Sequence, residues 1–359
     1  MNPSISIMDL TATKTLTDTH IKRYCEERKV NARQISPRYV ALWDSIETLL
    51  LAGGKRLRPH LLITAYMAYA DEGKLDDILP AAVAQELLHS AMLIHDDIID
   101  RDDIRYGVKN IAGQYDASYT PFLSDKSERA HMSLSAAILA GDILLSDAHR
   151  MLRSVNRPQE LVDQATEILS RGVFEVIGGE LLDTEVAFLP AGVINAETIA
   201  KFKTASYSFT SPLTMGATLA GASEGELYLL TQLSEKIGIG YQLRDDILGI
   251  FGDEAKTGKS NSNDIIEGKR TFLIEQFEAV ASAPQRERFF ELFHRAEATD
   301  TDIEEARQLL VESGAKEHVE QRIDTLREAA YGLIDQLSFN EPAKQELRYV
   351  IEHCLQREA

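Results

Sequence analysis

Apolar residues recur every three or four positions along almost the whole chain, and this periodicity constrains the fold more than any other feature. From Ser36-Pro37 onward, Tyr39, Trp43, Ile46 and Leu50 repeat at helical spacing up to Gly53-Gly54. Ser36 is placed to cap the first turn, Pro37 suits the first helical position, and the glycines supply the stop. Similar amphipathic patterns run through about 59–71, 80–104, 128–154, 159–188, 196–221, 224–251 and 264–280, with shorter ones to the C-terminus. No alternating run between turn signals competes with them. With 10 prolines and abundant Ala, Leu and Glu, the expectation is an all-α protein.

The 359 residues exceed what one core usually serves, yet no Pro- or Ser-rich linker, fixed-period repeat or low-complexity tract divides them. The expected organisation is an N-terminal extension and first helix over 1–35, then one large helical domain over 36–359. Two segments, 107–127 and 252–263, are rich in Gly, Ser, Asn and Asp and read as loops. With 57 acidic against 38 basic residues the formal charge is -19, which disfavours nucleic acid and anionic membranes as partners. Cys25 and Cys354 fit neither a disulfide framework nor a zinc spacing, no apolar run is long enough to span a bilayer, and MNPSISIMDLTATK lacks an apolar signal core. A cytoplasmic setting is expected.

Two helix ends are acidic. Within 80–104, Val83, Leu87, Ala91, Ile94 and Ile98 form an apolar stripe, while His89, Met92, Asp96, Asp100 and Asp103 form a second, polar one. Carboxylates at Asp96 and Asp100 stand one turn apart, where they repel unless a cation joins them. Magnesium suits them, because it is held by one or two carboxylates while keeping waters and phosphate oxygens. The second end is YQLRDDILGIFGD, with Gln242 one turn before Asp245 and Asp246. Cationic clusters accompany both: Lys55, Arg56 and Arg58 in GGKRLRP, and Lys256, Lys259, Lys269 and Arg270 after the second pair. Any one of these is an ordinary surface group, but together they read as clamps for a metal-bound diphosphate.

GGKRLRP, ELLHSAMLIHDDIID with RDDIRYG, GGELLD, KTASYSF, and YQLRDDILGIFGDEAKTGKS with NDIIEGKRTF resemble, in order and spacing, the trans-isoprenyl diphosphate synthases of the polyprenyl synthetase family. The likeness is detailed over about residues 50–275. It implies an isoprenoid-synthase helical bundle around a deep central cavity, a homodimer, and two Asp-rich motifs facing each other. By resemblance, Asp96, Asp97, Asp100, Asp245 and Asp246 are magnesium ligands carrying an allylic diphosphate. Arg105, Lys203 and Lys259 contact that diphosphate, Thr204 and Gln242 stabilise the allylic cation, and Lys55, Arg58 and His89 hold isopentenyl diphosphate. Asp183, Asp264 and Lys269 match supporting positions, Lys269 counting among the substrate-binding residues. The catalytic set is thus Asp96, Asp100, Lys203, Thr204, Gln242 and Asp245. Cations stabilise the leaving diphosphate, the allylic cation is attacked by the isopentenyl double bond, and no protein nucleophile is needed.

Three departures qualify the likeness. Gly249 stands where many relatives carry a third Asp, with a modest expected effect. Tyr106 replaces a second arginine that helps grip isopentenyl diphosphate, leaving open compensation by Arg56, weak affinity or a different acceptor. Segment 116–130 is longer than in a compact relative and reads as a lid or partner contact. Product length is set below Asp96, where Met92 lies one turn, roughly 6 Å, down and Ala91 follows. Small Ala91 and flexible Met92 favour geranylgeranyl or similar medium-length products. The alternatives are a terpene cyclase-like or non-standard prenyltransferase using the same metals, a metal phosphohydrolase built on His95-Asp96, and a non-catalytic partner subunit.

Overall fold

The computed structural model describes residues 8–70, 74–189, 192–253, 261–295 and 297–356. In chain order its helices are α1 (Leu10–Arg33), α2 (Pro37–Ala52), α3 (Leu57–Tyr69), α4 (Leu79–Ile99), α5 (Ile111–Tyr119), α6 (Lys126–Leu152), α7 (Gln159–Val186) and α8 (Ala196–Ile199). A π-helical stretch over Ala200–Thr210 leads into α9 (Ser211–Ala220). After it come α10 (Glu224–Phe251), α11 (Asn263–Glu267), α12 (Phe272–Val280), α13 (Ala283–Leu292), α14 (Asp300–Glu312), α15 (Ala315–Gln336) and α16 (Glu341–Leu355). Between α4 and α5 a hairpin pairs β1 (Ile104–Arg105) with β2 (Val108–Lys109). Among the described residues the protein is all-α apart from this hairpin.

The chain divides into two compact units, one built from Met1–Arg171 and Ser211–Ser223, the other from Gly172–Thr210 and Glu224–Ala359. In the first unit α4 packs on α6, where Ala136, Ala137 and Ala140 are small and buried, so the two backbones approach closely. Helix α1 is stitched to α6 by a buried carboxylate. Asp147 accepts from Tyr24 Oη at 2.6 Å, from Arg28 Nε at 2.5 Å and from Arg150 Nε at 3.1 Å. Three donors on one desolvated acid make the charge tolerable. The α2 boundaries are as expected: the Ser36 side chain accepts from the Arg38 N–H, and Gly53 ends the helix. In the second unit α10 packs against the π-helical stretch and against α15.

Some boundaries move. Segment 107–127 is not one loop, because Asn110 caps a helix, accepting from Gly113 N at 2.9 Å, with buried Ile111 opening it. Ile111, Tyr115 and Tyr119 lie four apart, a helical period masked by the small polar residues between them. Segment 116–130 accordingly joins the ends of α5 and α6. The pattern over 80–104 stops at Ile99, with Arg101 at φ 60 beyond it. That over 264–280 breaks at Gly268, φ 73, into α11 and α12. Most of segment 252–263 lies outside the described residues.

Candidate active site

The end of α4 is shaped by its apolar stripe. Val83, Leu87, Ala91 and Ile94 are buried, which turns Asp96 partly outward and leaves Asp100, the C-cap, exposed. Asp103 does not continue the polar stripe: it lies past the helix, and its carbonyl accepts from Asn110 N. Asp97 points inward and is 4% exposed. It accepts from Arg105 Nε at 2.7 Å and from Asn110 Nδ2 at 3.0 Å, and the Arg105 guanidinium also reaches Asp96 Oδ2 at 3.1 Å. Burial pushes the Asp97 carboxyl up to about 6 despite the opposing pull of Arg105. One arginine, fixed by the hairpin, thus bridges both neighbouring acids.

Below this end, Met92 keeps part of its surface whereas Ala91 is fully buried. His89 is half-buried; burial, and then Arg58, Arg105 and Arg56, hold its pKa well below 6.5, so it is a neutral imidazole among arginines. Lys55 is exposed and Arg58 half-buried. Arg56 is different. It is buried, and donates to Asp18 Oδ1 at 2.7 Å, Glu86 Oε2 at 2.9 Å and the Leu50 carbonyl at 2.5 Å. Its charge is paired inside the protein, whereas compensation for Tyr106 would need it presented to a ligand.

In the second unit the GGELLD and KTASYSF motifs meet. Gly179 lets the Lys203 backbone approach α7, because a methyl there would overlap it. Lys203 Nζ then lies 3.0 Å from Glu180 Oε2 and 2.5 Å from Asp183 Oδ2. The neighbouring residue starts a hydrogen-bonded chain: Thr204 Oγ1 donates to Gln242 Oε1 at 2.6 Å, and Gln242 Nε2 donates to Asp246 Oδ1 at 2.9 Å. The other oxygen of Asp246 accepts from Phe272 N at 3.3 Å. Burial, with smaller contributions from Asp264 and Asp245, raises the Asp246 carboxyl to about 8 against the Gln242 hydrogen bond. Asp264 lies over Gly249, so a side chain there would overlap its carboxylate. Lys269 is exposed and 4.0 Å from Asp264 Oδ1. Lys256 and Lys259 lie outside the described residues.

A family profile for polyprenyl synthetase matches residues 40–310. Among curated proteins, a short chain isoprenyl diphosphate synthase of Methanocaldococcus jannaschii is 32% identical over 75% of this chain and 76% of its own. A geranylgeranyl diphosphate synthase of Methanosarcina mazei is 32% identical over 88% of this chain and 90% of its own. The solved geranylgeranyl pyrophosphate synthase of Corynebacterium glutamicum, complexed with isoprenyl diphosphate and magnesium, superposes with a TM-score of 0.91 at 30% identity, covering 98% of this chain and 100% of that one. The chain belongs to the polyprenyl synthetase family. It is a prenyltransferase.

Within this synthetase, sequence reasoning missed three contributors. Glu180 pairs with Lys203, Asn110 holds Asp97, and the Phe272 N–H holds Asp246. Glu180 lay in a motif already singled out; the other two are visible only in three dimensions. The donor set fits magnesium, since every candidate ligand is a hard carboxylate oxygen and Asp246 is buried next to further negative charge. Among the described residues no three His, Cys, Asp or Glu side chains converge on one point.

Proposed function

We propose that this prenyltransferase condenses isopentenyl diphosphate with an allylic diphosphate (dimethylallyl, geranyl or farnesyl) to give all-trans geranylgeranyl diphosphate or a product of similar length. The Thr204–Gln242–Asp246 chain beside Lys203 is the observation that carries the reading. It fixes a hydroxyl and an amide as oriented dipoles, with no activated nucleophile to trap a carbocation, and this is what an ionising reaction requires. The relatives named for geranylgeranyl and short-chain isoprenyl diphosphates support the substrate class.

In this reading Asp96, Asp97 and Asp100, and in the second unit Asp245 and Asp246, are the magnesium ligands. Bound magnesium would neutralise the diphosphate and favour its departure. Arg105 and Lys203, with Lys259, grip the allylic diphosphate; each of the first two would share its carboxylate partners with the substrate. Thr204 and Gln242 stabilise the cation as the C–O bond breaks. Lys55 and Arg58 hold isopentenyl diphosphate, and neutral His89 offers a single N–H to it. The isopentenyl double bond then forms the new C–C bond, and a proton leaves to restore the alkene, with the departed diphosphate as base. Lys269 supports this machinery through Asp264, and Met92 limits chain growth, with buried Ala91 acting through its small size.

The synthase acts as a homodimer in this proposal. In support, α6 exposes Leu134, Ile138 and Leu139, and α7 exposes Phe174, Ile177 and Leu181, each set at helical spacing. Residues 36–359 serve as one catalytic domain, in the cytoplasm. No helix of the described residues is long and apolar enough to cross a membrane. The test is incubation with magnesium, isopentenyl diphosphate and each allylic diphosphate in turn, with chromatography of the products. Elongation to a medium-length prenyl diphosphate is expected. Failure to elongate any primer overturns the proposal.

A further inference from the structure

Gly53 and Gly54 open the loop that carries Lys55, but only one of them is required by its own backbone. Gly54 sits at φ 91, in the left-handed region that favours glycine. Gly53 sits at φ -167, extended backbone that any residue adopts. What excludes a side chain at Gly53 is the ring of Tyr106: a Cβ there would stand 2.7 Å from Tyr106 Cγ and 2.9 Å from Cδ1. No real Cβ contact is that short, so the ring lies directly on the glycine.

Tyr106 is held in a costly conformation to do this. The hairpin turn between β1 and β2 consists of Tyr106 and Gly107, at φ 53 and φ 75, both positive as in a type I′ two-residue turn. A bulky aromatic is a poor choice at such a position and persists only where its surroundings fix it. On the other side of Gly53, Arg56 is also left-handed, at φ 57, and its guanidinium is locked by Asp18, Glu86 and the Leu50 carbonyl. The short loop between them is therefore clamped from both sides. Tyr106 is the neighbour of Arg105, whose side chain ties the same hairpin to Asp96 and Asp97.

We propose that Tyr106 is a positioning residue that, through its ring on Gly53, sets the Gly53–Lys55 loop from the hairpin bound to the acidic end of α4. The substitution that removes a diphosphate-binding arginine thereby supplies a mechanical link between the cations for isopentenyl diphosphate and the acids for the allylic one. This rests on the substrate assignment above. Its chemistry is steric: a flat ring covers a glycine, and neither tolerates a methyl inserted between them.

The test is a double-mutant cycle of Gly53→Ala and Tyr106→Ala, with Tyr106→Phe as the conservative variant. Gly53→Ala is expected to raise KM for isopentenyl diphosphate about tenfold while KM for the allylic substrate stays near wild type, because a small displacement of a binding loop is felt by the group it carries. Tyr106→Phe, which keeps the ring, is expected to rescue KM relative to Tyr106→Ala. In the Tyr106→Ala background the Gly53→Ala change should cost little. Melting temperatures of the same four proteins should be non-additive in the same sense, and this reads the contact even if the wild type condenses no isopentenyl diphosphate. Additive KM and melting effects, or a Gly53→Ala enzyme with wild-type KM, overturn the proposal.

Discussion

At the end of α4 the Asp96–Asp97 pair is met by an arginine, whereas near the end of α10 Asp246 is met by an amide and a backbone N–H. The two ends carry the same Asp-Asp dipeptide on long helices, yet their electrostatics diverge. Arg105 neutralises charge, so burial lifts Asp97 only to about 6. Gln242 and Phe272 supply hydrogen bonds without charge, and burial with Asp264 and Asp245 nearby lifts Asp246 to about 8. Neutral donors satisfy lone pairs but leave the charge uncompensated. The first end is pinned by a cation, whereas the hydrogen bonds that hold Asp246 come from neutral donors.

Four substitutions test this contrast. The largest effect is expected for Asp96→Ala, a loss of turnover of about a thousandfold, with little change in melting temperature because Asp96 is partly exposed. A stable variant with near-normal turnover would remove Asp96 from the chemistry. Asp97→Ala should instead cost about 2 kcal/mol of stability in urea unfolding, since it takes one acceptor each from the half-buried Arg105 guanidinium and the Asn110 amide, leaving them Asp96 and the Asp102 carbonyl. Should Asp97→Ala prove as stable as wild type, the α4 end is not pinned as described.

Restoring the third acid by Gly249→Asp is expected to harm the enzyme, lowering stability by about 2 kcal/mol, because the Asp264 carboxylate lies where that side chain would start. Improved magnesium-dependent activity in that variant would show that Asp264 yields the space. The smallest effect is that of Gln242→Leu, about 1 kcal/mol, from loss of the link between Thr204 and Asp246. Turnover should fall more than stability does. An equal loss in Thr204→Ala and in the double variant would confirm that the two act as one chain.

Much of the protein was legible from pattern. The span of α10 and the capped α2 follow from apolar periodicity and end signals, which depend on local geometry alone. The candidate acids and cations were legible because their spacing and residue types suit diphosphate chemistry. Arg56 was misread for a physical reason: an arginine beside Lys55 looks like one more surface cation, and only the positions of Asp18 and Glu86, 38 and 30 residues away, turn it inward. Helix α5 was missed because small polar residues diluted its period. Asp96 and Asp97 differ by one position, and it is the apolar stripe of α4 that sends one outward and the other into the core.

Residue chemistry and helical period, both readable along the chain, determined that this protein is all-α and that it carries two acidic helix ends. Which charge meets which acid was decided in three dimensions. Arg105 reaches Asp97 because a two-residue turn folds the hairpin back, Asp264 overlies Gly249, and the Tyr106 ring covers Gly53. Such pairings depend on backbones brought within a few ångströms by packing, and sequence spacing carries no record of that distance.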